Sequence, residues 1–172
     1  MLEISIKDKQ YKLEYTFEAV RHRAFLKMMF DIMSGAYTTK RILSVQNESD
    51  ANAVVAMLDG AGDMVADIPE ITEIAFYAGL LENNPVSKAE AKDLMKQYMI
   101  DNKLSFNALY TDIKKCMEDD GFFDLSGIKE MIAQMEEMQK KAEEAEKKAQ
   151  EEQNKKVVPM DHQKKKSTSK KS

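Results

Sequence analysis

The 172-residue chain has room for one ordinary domain and an appendage. Its charged fraction of 33% against 43% hydrophobic residues is high for a packed globule, which a solvated helical arm explains without making the whole chain disordered. The net charge of −4 hides a split: residues 154–172 carry seven lysines against one aspartate, or +6, which leaves −10 on the remainder and argues against a protein that coats nucleic acid. With the single Cys116 there is no internal disulfide, and the opening MLEISIKDK has neither the basic n-region nor the apolar core of a signal peptide. The longest apolar run, Ile74 to Leu81, is far short of a membrane span, so a protein of a reducing cytoplasm with no membrane partner is expected.

In chain order, Ile4 and Ile6 alternate with polar neighbours, as do Tyr11, Leu13 and Tyr15, predicting a β-hairpin around the loop Lys7-Asp8-Lys9-Gln10. The period then changes. Thr16 is placed to cap a helix with Phe17, Val20, Ala24, Met28 and Ile32 on its apolar side, ending near Gly35. A second helix is expected from Asp50 through Val54, Val55 and Leu58 to Gly60. A third starts at Pro69 and carries Ile71, Ile74, Ala75 and Leu81. After the break at Asn83-Asn84-Pro85, Ser87-Lys88-Ala89-Glu90 forms a capping box for a fourth helix that buries Ala91, Leu94, Met95 and Met99. Ser105 opens a fifth, with Leu109, Ile113 and Met117 on one side, and Asp124 is placed to cap the sixth and longest.

That last helix carries a heptad seam, Ile128, Met131, Met135, Met138, Ala142, Ala145 and Ala149, whose knobs shrink from Ile and Met to Ala. The alanine part reads as a solvated helix supported by Glu–Lys pairs. Ile128, Met131, Met135 and Met138 are the candidate partner-binding residues, because methionine makes soft, adaptable apolar contacts. The fold class is therefore mainly α with a short N-terminal β-hairpin (α+β). It comprises a hairpin-plus-helices domain over 1–124, an extended amphipathic helix over 125–153 and a disordered Lys-rich tail over 154–172.

No residues assemble into a catalytic, metal or cofactor site. Glu118-Asp119-Asp120-Gly121-Phe122-Phe123-Asp124 suggests a calcium loop, but placing Gly121 at the sixth position puts Cys116 first and Gly127 twelfth, where a bidentate Glu is required. His22, between Arg21 and Arg23, and His162 lack ligand-type neighbours and read as surface histidines. Cys116 has no histidine near it in sequence and reads as a buried or half-buried thiol. Gly60-Ala61-Gly62 is followed by no Gly-Lys-Ser/Thr, so it is no phosphate cradle. The Lys-rich tail has no aromatic residue on which a base could stack. A non-catalytic binding protein is expected, with no cofactor.

Two stretches carry a resemblance. "ISIKDKQYKLEY" leads straight into an amphipathic helix, and in "ITEIAFYAGLLENNPVSKAEAKDLMKQY" a helix ending Tyr-Ala-Gly-Leu meets a proline turn and a capped helix. Over roughly residues 1–120 the chain resembles the tail assembly chaperones of long-tailed bacteriophages of Gram-positive hosts, departing from them in the glycine-free Lys7–Gln10 loop. The resemblance implies a non-catalytic protein of the host cytoplasm, absent from the finished virion. It would self-associate and bind the tape measure protein, a long helical polypeptide, until tube subunits replace it, and the arm would be a partner-facing extension. The alternative is a helical adaptor that dimerises through the Ile128–Ala149 seam.

Overall fold

The computed structural model describes residues 1–36 and 50–156. The fold is mainly α, with a two-stranded antiparallel hairpin at its start. Strands β1 (Leu2–Ile6) and β2 (Lys9–Leu13) pair Leu2 with Leu13, Ile4 with Tyr11 and Ile6 with Lys9. Only Lys7 and Asp8 make the turn, both at positive φ (47° and 65°). Two-residue turns of that hand match the twist of the strands they join. The loop is thus half the expected length, and non-glycine residues carry the left-handed geometry. Ile4, Ile6, Leu13 and, just past β2, Tyr15 are buried.

The single helix expected from Thr16 to Gly35 is two, α1 (Phe17–Arg21) and α2 (Arg23–Met33), broken at His22. The break changes the phase of the buried face. Ala19, Phe25 and Met29 are fully buried, whereas Phe17 and Ala24 are exposed and Val20, Met28 and Ile32 sit at the edge of the core. Thr16 makes no side-chain cap; the Glu82 carboxylate accepts from the Glu18 N–H instead (3.1 Å).

Where two helices were expected there is one, α3 (Asp50–Leu80), which runs through Gly60, Gly62 and Pro69. Its C-terminal part enters the core through Ile71, Thr72, Ala75, Phe76, Ala78 and Leu80; Ile74 is half-buried, Gly60 is buried, and Val54, Val55 and Leu58 are exposed. That part meets β2, α2 and the next two helices, α4 (Lys88–Asn102) and α5 (Phe106–Asp119). The two expected serine caps are present. Ser87 Oγ accepts from Glu90 N (3.2 Å) and Ser105 Oγ from Ala108 N (3.1 Å). Ala91 and Met95, then Leu109, Ile113 and Met117, are buried as expected.

A single turn, α6 (Phe122–Leu125), buries Phe122 and Phe123 before α7 (Ile128–Lys156) begins. It displaces the expected Asp124 cap. Ser126 Oγ accepts from Ile128 N (3.4 Å), and Asp124 pairs with Lys129 (2.8 Å). The chain forms two compact units, Met1–Ile132 and Ala133–Ser172. In the second, the described helix is exposed through Ala149 and carries pairs one turn apart such as Glu137–Lys141 (2.7 Å). The tail expected to be disordered lies outside the described residues from 157 on; residues 154–156 belong to α7.

Tyr15 is the joint of the first unit. It is fully buried, donates its hydroxyl to Ala75 O (3.0 Å), and packs against Phe25 and edge-on to Phe122. Its backbone N–H reaches Asp120 Oδ2 (2.9 Å), and Asp120 also pairs with the Met1 amino group. A Cβ on Gly79 would lie 2.8 Å from Tyr15 Cζ and hydroxyl and 3.2 Å from Leu13 Cβ. Gly79→Ala should therefore cost about 1–3 kcal/mol by overpacking, whereas Tyr15→Phe should cost about 1 kcal/mol for the lost hydrogen bond. Urea unfolding of both variants checks the order; an unchanged midpoint for Gly79→Ala would show that the recess is not tight.

Candidate partner-binding surface

The four expected partner residues divide. Ile128 is 3% exposed and is a core residue, so the fold itself accounts for it. Met131, Met135 and Met138 are 54%, 44% and 63% exposed. They stand at i, i+4 and i+7 of α7, a spacing that puts their side chains on one face. Beyond them Ala142, Ala145 and Ala149 continue the seam, also exposed.

Met131 also borders a shallow groove in the first unit, about 230 Å³, between α2 and the start of α7. Leu26, Phe30 and Ile128 supply apolar lining, and Arg23 and Lys27 stand on its rim. Lys27 is already paired with Asp31 (2.8 Å), one helical turn on. Such a groove suits an aliphatic side chain on a helix that also carries acidic residues. No sequence pattern points to it, because it depends on the phase of α2 after the break at His22.

The residues considered for chemistry serve the fold. Histidine 22 is not a surface bystander: its Nδ1 accepts from Phe25 N (3.2 Å) and caps α2, and its ring stands edge-on to Tyr77. Burial, and then the Lys88 ammonium, lower its pKa below the usual histidine range. Lys88 itself lies 5.7 Å from the centre of the Tyr77 ring. Cys116 is buried, with Leu13 O (3.6 Å) and Asp120 Oδ2 (3.5 Å) both within reach of its one S–H; burial pushes its thiol up to about 11. Asp120, the central acid of the rejected calcium loop, is committed to the hairpin, and among the described residues no three His, Cys, Asp or Glu converge as metal ligands. Gly60-Ala61-Gly62 is helical. No helix among the described residues is long and apolar enough to cross a membrane.

No protein-family model, curated protein or solved structure matches this chain.

Two measurements follow from these environments. A histidine with a lowered folded pKa stabilises fully above its unfolded value near 6.5 and loses that contribution as pH falls through the folded value. Stability should therefore decline below about pH 6.5 more steeply in the wild type than in His22→Asn, which keeps a capping side chain that does not titrate; parallel curves would mean His22 does not cap in solution. At pH 8 a thiol held near 11 rather than 9 has about 100-fold less thiolate. A disulfide reagent should modify Cys116 at least that much more slowly in the native protein than in denaturant, and equal rates would show the thiol is open.

Proposed function

We propose that this protein is a tail assembly chaperone of a long-tailed phage or prophage, a non-catalytic holdase that binds the helical tape measure protein before the tail tube forms around it. The reading is supported by the resemblance of the hairpin-into-helix opening and of the Ile71–Tyr98 helix–turn–helix. The observation that carries it is the exposed row Met131, Met135 and Met138 on a long helix. A single-sided methionine row grips an amphipathic helix without demanding one sequence from it. Self-association would set many copies along one tape measure, and the site of action would be the host cytoplasm.

The test is capture of the product of the very long gene expected downstream of this one, measured by pull-down and titration calorimetry. Changing Met131, Met135 and Met138 to Ser together removes roughly 1 kcal/mol of apolar contact each, or about 100-fold in affinity. The melting temperature should hold, since all three are exposed. Changing Ala142, Ala145 and Ala149 to Ser should have little effect. Capture that survives the methionine changes moves the partner surface off the arm, and loss of capture on deleting residues 164–172 alone would overturn the arm's role.

A further inference from the structure

The N-terminal part of α3 presents an apolar stripe that nothing in the described structure covers. Val54, Val55, Met57, Leu58 and Val65 are each 55–67% exposed. Val54, Leu58, Ala61 and Val65 step by four, three and four, one face of a helix. The same face continues in phase to Thr72, Phe76 and Gly79, which are buried in the core. The core-facing stripe of α3 thus runs on past the body that covers it. Five exposed apolar side chains on about three turns are more than scattered surface residues account for.

We propose that this stripe pairs, antiparallel, with the same segment of a second copy of the chain, the two helices crossing at Ala61. Three observations select a second copy as the occupant. The pattern of side chains is nearly two-fold about Ala61: Met57 mirrors Val65, and Val54 and Leu58 mirror the half-buried Ile68 and Met64, while Val55 mirrors Asp67. Such mirroring is what an isologous interface requires, because each patch must fit itself. The charges permit it too: Asp59, Asp63 and Asp67 step by four along the opposite side of the helix, so two copies meet without opposing carboxylates. A separate basic helix docked on the stripe would find those carboxylates on the wrong side.

The third observation is Gly62. It lies inside the helix beside Leu58, at a cost of about 1 kcal/mol against alanine. A Cβ built on it meets nothing within 4 Å, so no contact among the described residues demands a glycine there. Close approach of a second helix at Ala61 and Gly62 does.

Self-association measured on the purified chain alone separates this inference from tape measure binding, since each can fail without the other. Sedimentation velocity of the full chain from about 1 to 100 µM should show a monomer–dimer equilibrium in the micromolar range, as suits a small interface. The double variant Leu58→Glu/Val65→Glu should be monomeric with an unchanged far-ultraviolet spectrum and melting curve, because both side chains are exposed in the monomer. Gly62→Ala should raise helix stability yet weaken association at least tenfold; an equal or tighter dimer contradicts the close crossing. Mild oxidation should cross-link Ala61→Cys, at the two-fold, much faster than Asp59→Cys on the far side, with buried Cys116 silent in both. A monomer throughout the range, association that persists in the glutamate variant, or equal cross-linking at the two positions would overturn the proposal.

Discussion

Tyr15 lies against Gly79 with no room for a methyl group between them, and the first unit is arranged around that contact. Hairpins of two short strands are marginal in water unless one face finds a cover. Here the cover is α3. Because Gly79 has no side chain, Glu14 N reaches Gly79 O at 2.8 Å and the tyrosine ring passes over the helix to its hydroxyl partner at Ala75. The ring is then the surface on which Phe25 from α2 and Phe122 from α6 close. Asp120, at the end of α5, fixes the same residue from its backbone side. Four helices are thus referred to one residue, and burial holds the Tyr15 hydroxyl well above the usual tyrosine range, as a neutral donor.

The chain beyond Gly79 completes the clamp. Asn84 Oδ1 accepts from Lys12 N (2.8 Å), Asn83 Nδ2 donates to Glu14 (2.8 Å), and Glu82 receives the Glu18 N–H in the first turn of α1. The Gly-Leu-Leu-Glu-Asn-Asn stretch therefore has a complete structural reason: it holds the hairpin to α3 and starts α1 at the required angle. That stretch is scaffold, and the exposed apolar side chains of α7 and of the N-terminal part of α3 lie outside it.

Local rules read well where one residue decides. The serines at 87 and 105 cap because each hydroxyl accepts from the N–H three residues on, and the hairpin follows from period-two alternation. They fail where tertiary contact outweighs propensity. Glycine costs a helix about 1 kcal/mol and proline about 3, so Gly60, Gly62 and Pro69 read as punctuation, yet α3 continues through all three. Histidine is a rare cap, and nothing in Arg21-His22-Arg23 announces that its ring nitrogen will take the Phe25 N–H. Missing that break put the face of α2 out of phase and hid the Arg23–Lys27 groove. On α7 the heptad seam was legible, but not where the core lets go of it. Phe122 and Phe123 draw one more turn into the body, which carries Ile128 inside and leaves Met131 as the first exposed member.

The two uncovered apolar surfaces differ in stiffness, and the difference fits two kinds of contact. Val54, Val55 and Val65 are β-branched and hold essentially one rotamer on a helix. A stripe built from them presents a fixed relief, best matched by a partner that is identical each time, as a second copy is. Met131, Met135 and Met138 have three rotatable side-chain bonds apiece and a polarisable sulfur, so they reshape to what they touch. A tape measure changes sequence from turn to turn while keeping its helical shape, and a rigid stripe would fit few of its turns. On the proposed reading the chain meets itself at one place and a long helix at many, which calls for both textures. Placing the stiff one next to the core and the soft one on an arm lets the second adapt without disturbing the first.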